Sequence, residues 1–176
     1  EISTELFHFF EKLNSSFSSI ESDLNDKKRK QFVDEVGEVA AEYRDRIYTS
    51  YFSGTKDSLD RNRIIHFFET VLNVLDKTID SNKRKDGLYH AYNLINLEEH
   101  EIKIDRLSEM LEGQVGVLSS GYLSQEESLS VLDSLKKSDL FWDEQYSYIL
   151  YPNKELLGFM NKNIVPEAEL KKSDLL

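Results

Sequence analysis

The chain has 176 residues, a formal net charge of −11 and no cysteine. The lack of cysteine excludes disulfides, thiolate nucleophiles and cysteine-ligated metal sites. The acidic balance repels phosphate backbones, and no apolar run approaches the ~20 residues that cross a bilayer. We therefore expect a folded domain with neither a nucleic-acid partner nor a membrane partner.

Three amphipathic helices are predicted in the first half of the chain. Apolar residues recur at the three-and-four spacing of one helix face in three segments, Leu6 to Leu24, Phe32 to Tyr51 and Ile64 to Ile79. Ser3 or Thr4 can cap the first helix, Gly54 follows the end of the second, and Ser58 or Asp60 can cap the third. The third stripe is wider than one partner needs, which predicts burial between neighbours on two sides.

The middle of the chain predicts a short hairpin and a fourth helix. Ile102 and Ile104 alternate with charged residues, so they can pair with the strand Leu94 to Leu97. The next helix is predicted over Arg106 to Ser119. Gly113 and Gly116 inside it each weaken it by ~1 kcal/mol relative to Ala, and they indicate the close approach of another backbone or a ligand.

The last third predicts one long helix and shorter elements. Ser124 to Glu127 is a capping box that opens a helix through Leu135. Tyr146 to Tyr151 alternates like a short strand, Asn153 can cap a helix over Lys154 to Met160, and Pro166 can begin a final turn. The whole pattern predicts a single helical domain, 1–176, that is mainly α, with five or six antiparallel helices and a small β-hairpin or strand element.

Common catalytic motifs are absent from the sequence. It contains no phosphate-cradling Gly-x-x-x-x-Gly-Lys, no Gly-x-Gly-x-x-Gly, no Gly-x-Ser-x-Gly and no two histidines at the i, i+4 spacing. We therefore expect no cofactor and no metal site, and we assign no catalytic residue.

Three clusters of polar residues, two of them with aromatic side chains, suit a carbohydrate. Their members are Asp86, Tyr89, His90, Tyr92 and Asn93 in the first, Glu112 and Gln114 in the second, and Trp142 and Asp143 in the third. Carboxylates and amides bind hydroxyls, and aromatic rings stack on the apolar face of a sugar. The same residues could instead hold a turn, point outward from a helix or seal the core. Asp86, Glu112, Asp143 and Glu144 could also serve as the carboxyl group of a glycosidase or phosphorylase, although their spacing does not show that any two face each other.

Four strings carry a family resemblance: Asp86 to Leu94, Met110 to Val115, Leu118 to Ser124 and Ser147 to Pro152. Together they resemble an internal segment of large bacterial proteins described as cellobiose-phosphorylase-like, over about residues 43–176. The resemblance implies a fragment of a longer polypeptide with an (α/α)6-barrel type of fold, so the bundle could be a partial (α/α) barrel. It also implies that the chain contributes helices and a sugar-contacting loop to a glycoside phosphorylase- or hydrolase-like protein.

The alternative is a non-catalytic helical module for protein interaction or assembly. The wide apolar stripe from Ile64 to Ile79 favours it, because such a face calls for a partner. The partner would be the remainder of the parent polypeptide or a second copy of the chain.

Overall fold

A computed structural model describes residues 1–20, 25–162 and 164–172. The helices are α1 (Thr4–Ile20), α2 (Asp26–Ser50), α3 (Arg61–Ser81), α4 (Leu111–Ser119), α5 (Gln125–Lys137), α6 (Phe159–Lys162) and α7 (Glu167–Leu170). The strands are β1 (Ile2–Ser3), β2 (Lys56–Asp57), β3 (Leu94–Leu97), β4 (Ile102–Asp105), β5 (Phe141–Trp142) and β6 (Ser147–Tyr148). Within the described ranges the strands form three antiparallel pairs and no closed sheet, which confirms the predicted mainly-α class.

Aromatic side chains join the first three helices. The ring of Phe17 on α1 lies 5.1 Å from that of Phe32 on α2 and 5.7 Å from that of Phe67 on α3. Phe10, about two helical turns earlier on α1, lies 5.2 Å from the same Phe67 ring. These edge-to-face contacts are the preferred geometry of aromatic pairs, so α1 is the helix that holds α2 and α3 together.

The ends of these helices follow the predicted capping residues. The carboxylate of Asp60 accepts a hydrogen bond from the Asn62 N–H at 3.0 Å, and the hydroxyl of Ser3 accepts one from the Leu6 N–H at 3.3 Å. Helix α2 ends at Tyr51, whose φ of 59° breaks the helix three residues before Gly54. The predicted first stripe ends at Leu24, which lies outside the described residues.

The expected burial of α3 on two sides is wrong. Thr70 and Val74 are buried, and Phe67 faces α1. Ile79, at the end of the helix, packs against the core of the second half. Four other large apolar side chains of the stripe are 43–58% exposed, namely Ile65, Phe68, Leu72 and Leu75. Among the described residues, the face that carries these four side chains is therefore uncovered.

The loop after α3 is fixed by the core of the second half. Leu88 packs with Leu135 on α5 and with Leu140, and all three are buried. Tyr89 packs instead with Val117 on α4 and with Val131 on α5. Two adjacent residues of one loop thus anchor it in two apolar clusters.

Two short hairpins complete the second half. The pairing of β3 with β4 confirms the predicted hairpin, and it places Leu94 opposite Asp105 and Leu97 opposite Ile102. The second hairpin pairs Phe141 with Tyr148. It is shorter than the predicted strand over Tyr146 to Tyr151, because Tyr146 has a φ of 47° and lies in the turn.

The predicted start of α4 at Arg106 is wrong, because the helix begins at Leu111. The backbone before it bonds to distant segments instead of to itself. The Leu107 carbonyl lies 3.2 Å from Nδ1 of His90, and the Leu111 N–H donates to the Leu150 carbonyl at 2.9 Å. These tertiary bonds hold the preceding residues in an extended course.

The predicted helix over Lys154 to Met160 is also wrong. Glycine is a weak residue inside a helix, and Gly158 stands at the boundary here. Its carbonyl accepts hydrogen bonds from the backbone N–H groups of Asn161 and Lys162, so α6 begins only after it. The predicted turn at Pro166 is confirmed, since α7 starts at the next residue. In the described part of the chain, no helix combines the length and the apolar character that crossing a membrane requires.

Candidate functional site

The first polar-aromatic cluster lies in a tightly bonded loop between α3 and β3. The Arg84 N–H donates to the Leu88 carbonyl at 2.8 Å, and the His90 N–H donates to the Asn82 carbonyl at 2.8 Å. Asp86 accepts from the Leu88 N–H at 3.1 Å and from the guanidinium of Arg84 at 2.7–3.1 Å. The carboxylate of Asp86 therefore stabilises the turn, and its pairing with Arg84 lowers its pKa.

Tyr89 and Gln114 meet inside the fold. Both are buried, and Gln114 is completely inaccessible to solvent. Oε1 of Gln114 accepts from the Tyr89 N–H at 2.9 Å, while its Nε2 donates to the Tyr89 carbonyl at 2.8 Å and to the Met110 carbonyl at 2.9 Å. A buried amide with all of these bonds made joins the loop to α4, and it has no direct access to a ligand in solvent.

Gly113 permits this contact between α4 and the loop. A Cβ atom at this position would lie 2.9 Å from Cβ of Ala91 and 3.2 Å from the Tyr89 carbonyl oxygen. The expected approach of another backbone is therefore confirmed for Gly113. For Gly116 it is wrong, because nothing lies within 4 Å of a Cβ placed there.

Asp86 and His90 lie together on an open cleft of about 500 Å³. Its other lining residues are all cationic, namely Lys83, Arg84, Lys85 and Arg106. The sequence alone suggests that the run from Lys83 to Lys85 is solvated, and it gives no indication that Arg106 joins the run. We call this depression the cationic cleft.

Two of its cations are held in place by protein groups. Arg84 lies 3.1 Å from the carboxylate of Glu109 in addition to its contact with Asp86, and the guanidinium of Arg106 donates to the Ser81 carbonyl. Burial lowers the pKa of His90, and the charges of Arg84 and Arg106 lower it further. The cationic cleft therefore favours the neutral form of His90. The same positive charges favour an anionic ligand.

The remaining members of the first two clusters lie elsewhere. Tyr92 is 68% exposed, with a φ of 49°. Nδ2 of Asn93 donates to Oδ1 of Asn82 at 2.9 Å, whereas Oδ1 of Asn93 and Oε2 of Glu112 are buried without a hydrogen-bond partner in the described residues. None of these three residues lines the cationic cleft.

The third cluster lines a second depression, beside the β5–β6 hairpin. It has a volume of about 260 Å³, and its lining residues are Asp139, Phe141, Trp142, Asp143, Glu144, Ile149 and Asn153. An adjoining depression shares four of these residues and adds Lys136, Lys137 and Ser138. We call the two together the hairpin groove. Trp142 and Asp143 are thus brought together with acidic, amide and aromatic neighbours.

The turn of the hairpin keeps these side chains on the surface. The Tyr146 N–H donates to the Asp143 carbonyl at 3.2 Å, and the ring of Phe141 lies 5.5 Å from that of Tyr146. The ammonium group of Lys136 lies 5.3 Å from the Tyr146 ring centroid, within cation–π range. The sequence pattern misses Asp139, and it predicts a helix cap for Asn153 where the structure has a groove residue.

Neither depression contains a ready metal site. Among the described residues, no three or more His, Asp or Glu side chains are grouped so as to hold a metal ion.

No protein-family model matches the chain, and a search of curated proteins gives no matching relative.

Proposed function

We propose that the chain is part of a bacterial carbohydrate-active protein, of the glycoside phosphorylase or hydrolase type, and that it contacts sugar through the hairpin groove. The single observation that carries the proposal is the placement of Trp142 and Asp143 on one open depression with Asp139 and Asn153. On this view the chain is a helical domain of a longer polypeptide, and we assign it no catalytic residue.

The composition of the hairpin groove fits the chemistry of a sugar. A pyranose ring offers an apolar face, which stacks on aromatic side chains, and a rim of hydroxyls, which bind carboxylates and amides. Trp142 and Phe141 are half-buried and supply the aromatic surface. Asp139, Asp143 and Asn153 are exposed and supply hydrogen-bonding groups around it.

The other two clusters support sugar contact less directly. Tyr89 and Gln114 use their polar backbone and amide groups on each other. Asp86 and His90 do reach solvent, but in the cationic cleft, whose lining has no Phe, Tyr or Trp side chain among the described residues. An aromatic platform beside acidic groups is what makes the hairpin groove the better candidate.

The test uses the single tryptophan of the chain, Trp142, as a fluorescent reporter. We expect titration with cellobiose or glucose to change its emission saturably. Asp143→Asn should weaken the response, because it removes a charged acceptor from the groove. Asp133→Asn is the matched control, since Asp133 is exposed on α5 and lies outside the groove.

Two results would contradict the proposal. The first is an emission spectrum that does not change with either sugar at concentrations where both remain soluble. The second is a saturable response that Asp143→Asn and Asp133→Asn reduce equally, because such a response would not come from the groove.

A second candidate function is a helical assembly module without catalysis, and one observation favours it. Ile65, Phe68, Leu72 and Leu75 are spaced three, four and three residues apart on the exposed side of α3. This is the spacing by which one helix packs along another. We infer that a second copy of the chain covers this face through its own α3.

Light scattering on the purified chain tests the second candidate. We expect a dimer that Leu72→Lys converts to a monomer, while Leu129→Lys, at an exposed apolar residue on α5, leaves it dimeric. A wild-type chain that is monomeric at high micromolar concentration, or a dimer that both variants disrupt equally, would rule out this use of α3.

A further inference from the structure

A small cavity of about 170 Å³ lies between α1 and α2, far in the sequence from both depressions described above. Each helix contributes four residues at the i, i+3, i+4, i+7 spacing of one helix face. They are Glu5, His8, Phe9 and Lys12 from α1 and Val39, Glu42, Tyr43 and Arg46 from α2, and Glu11 on α1 also lines the cavity. No cluster singled out in the sequence includes any of these residues.

Glu5 is an unusual residue for such a wall, because its side chain is a carboxylate and the residue is only 2% exposed. Oε1 accepts a hydrogen bond from the Ser53 N–H at 2.9 Å. Oε2 is buried and has no hydrogen-bond partner among the described residues. The bonds from Ser53 lower the pKa of Glu5 to about 2, so the group is an anion at neutral pH.

A buried anionic oxygen without a donor is costly, and a donor that enters the cavity would relieve that cost. Lys12, Glu42 and Glu11, three other charged residues of the lining, each have a charged partner. Lys12 donates to Glu42 across the two helices, and Glu11 accepts from Arg63 at 2.5 Å through one oxygen, while its other oxygen is also buried without a partner. Among the described residues that line the cavity, the buried acceptors without a partner are therefore both on α1.

Arg46 supplies the opposite charge on α2. It is exposed, its charge lowers the pKa of Glu5, and no hydrogen bond or ion pair to its guanidinium is found within the described part of the chain. The cavity thus presents an acceptor for an ammonium group on one helix and a guanidinium for a carboxylate on the other. His8 lies exposed at its edge.

Part of the lining is apolar. The rings of Phe9 and Tyr43 lie 4.7 Å apart, and Val39 adjoins them in the lining. A volume of about 170 Å³ is about six times the 30 Å³ that one water occupies in the liquid. A molecule of about six non-hydrogen atoms or slightly more fits within that volume.

We propose that the cavity between α1 and α2 binds a small free α-amino acid. The ammonium group donates to Oε2 of Glu5, the carboxylate accepts from the guanidinium of Arg46, and an aliphatic side chain packs on Phe9 and Tyr43. The inference is independent of the proposed sugar contact, because the two sites share no residue.

Calorimetric titration of the whole chain with L-alanine, L-valine and L-leucine tests the proposal. We expect saturable binding of at least one of them. Blocking the ammonium group in the N-acetyl derivative should abolish that binding, and replacing the carboxylate in the amide derivative should weaken it. Binding by none of the three amino acids, or equal binding of the N-acetyl derivative, would overturn the proposal.

The variant Arg46→Gln gives the sharper comparison, because Arg46 is exposed and its loss leaves the core intact. The variant should weaken the affinity for the amino acid by about tenfold, which corresponds to the loss of one charge-assisted hydrogen bond. Its affinity for the amide derivative should stay the same as that of the wild type. Arg44→Gln is the control on the same helix, at an exposed arginine outside the cavity. Equal affinities in Arg46→Gln and Arg44→Gln would refute the assigned orientation.

Glu5→Gln is a second variant, which should weaken the binding of the amino acid and of the amide derivative equally. It retains an acceptor toward Ser53, and thermal unfolding will show whether the fold survives. If it does not, the Arg46 comparison still decides the question, because it does not depend on Glu5→Gln.

Discussion

The side chain of Gln114 and the backbone of Tyr89 form a closed pair of hydrogen bonds, with the amide oxygen 2.9 Å from the Tyr89 nitrogen and the amide nitrogen 2.8 Å from the Tyr89 oxygen. A side-chain amide here does for an irregular loop what a neighbouring strand does in a sheet. The pair explains why a loop without regular secondary structure can carry two core residues.

Replacing Gln114 should destabilise the chain strongly. Gln114→Ala leaves the N–H and the carbonyl of Tyr89 buried without partners, and we expect the free energy of unfolding to fall by about 2–4 kcal/mol. Urea denaturation measures it. Gln125→Ala, at the exposed first position of α5, is the control and should change stability by less than about 0.5 kcal/mol. A similar small change in Gln114→Ala would show that the pair contributes little.

The two glycines of α4 should respond to alanine with opposite signs. Gly116→Ala meets nothing within 4 Å, so the better helix propensity of alanine should stabilise by about 0.5–1 kcal/mol. Gly113→Ala gains the same propensity but puts a Cβ 2.9 Å from that of Ala91, so we expect net destabilisation. Thermal melting of the two variants decides the matter, and stabilisation by both would contradict the close approach.

Glu5 should make stability depend on acid pH. Its pKa is about 2 in the folded chain against an ordinary value of 4.5, so its stabilising contribution is complete above pH 4.5 and is lost as the pH falls toward 2. The stability gap between wild type and Glu5→Gln should therefore narrow on acidification. Urea titrations in that pH window measure it, with Glu155→Gln as an exposed control. A gap that stays constant or widens would contradict the lowered pKa.

The lowered pKa of His90 should make the stability of the fold depend on pH near neutrality. Its pKa lies below the ordinary 6.5, so the unfolded chain takes up the proton first and stability falls as the pH drops below 6.5. Arg106→Gln removes one of the charges that lower the pKa, so the pKa of His90 should rise in that variant. NMR titration of the imidazole measures it.

Arg61→Gln is the control for that titration, because Arg61 is exposed at the start of α3 and does not line the cleft. The pKa of His90 should be the same in Arg61→Gln as in the wild type. If Arg106→Gln leaves it equally unchanged, Arg106 does not act on the imidazole.

Local signals were enough to predict much of the fold. Ser124 and Glu127 exchange hydrogen bonds at 3.0 and 3.1 Å as a capping box, which depends only on residues three apart. The β3–β4 hairpin follows from the alternation of Ile102 and Ile104 with charged residues, which predicts a strand that pairs with Leu94–Leu97. The start of α4 could not be predicted in this way, because it depends on the bond from Leu111 to Leu150, thirty-nine residues away in the printed sequence.

The candidate site was harder to predict for a related reason. Residue type cannot distinguish a glutamine that binds a sugar from one that binds a backbone, and Gln114 is the second kind in this structure. The cationic cleft likewise needs Arg106, which is separated from Lys85 by the whole β3–β4 hairpin. The cavity between α1 and α2 combines residues from two helices, each of which reads as an ordinary amphipathic face.

The pairing of β1 with β2 places Ile2 opposite Asp57 and Ser3 opposite Lys56. The segment that enters α1 and the segment that leaves α2 therefore lie side by side. Strand β2 ends only a few residues before α3 begins at Arg61. A fluorescent protein or an affinity tag fused ahead of Glu1 would leave the surface beside the start of α3. Tagging at the amino end should therefore be avoided in any study of the exposed face of that helix.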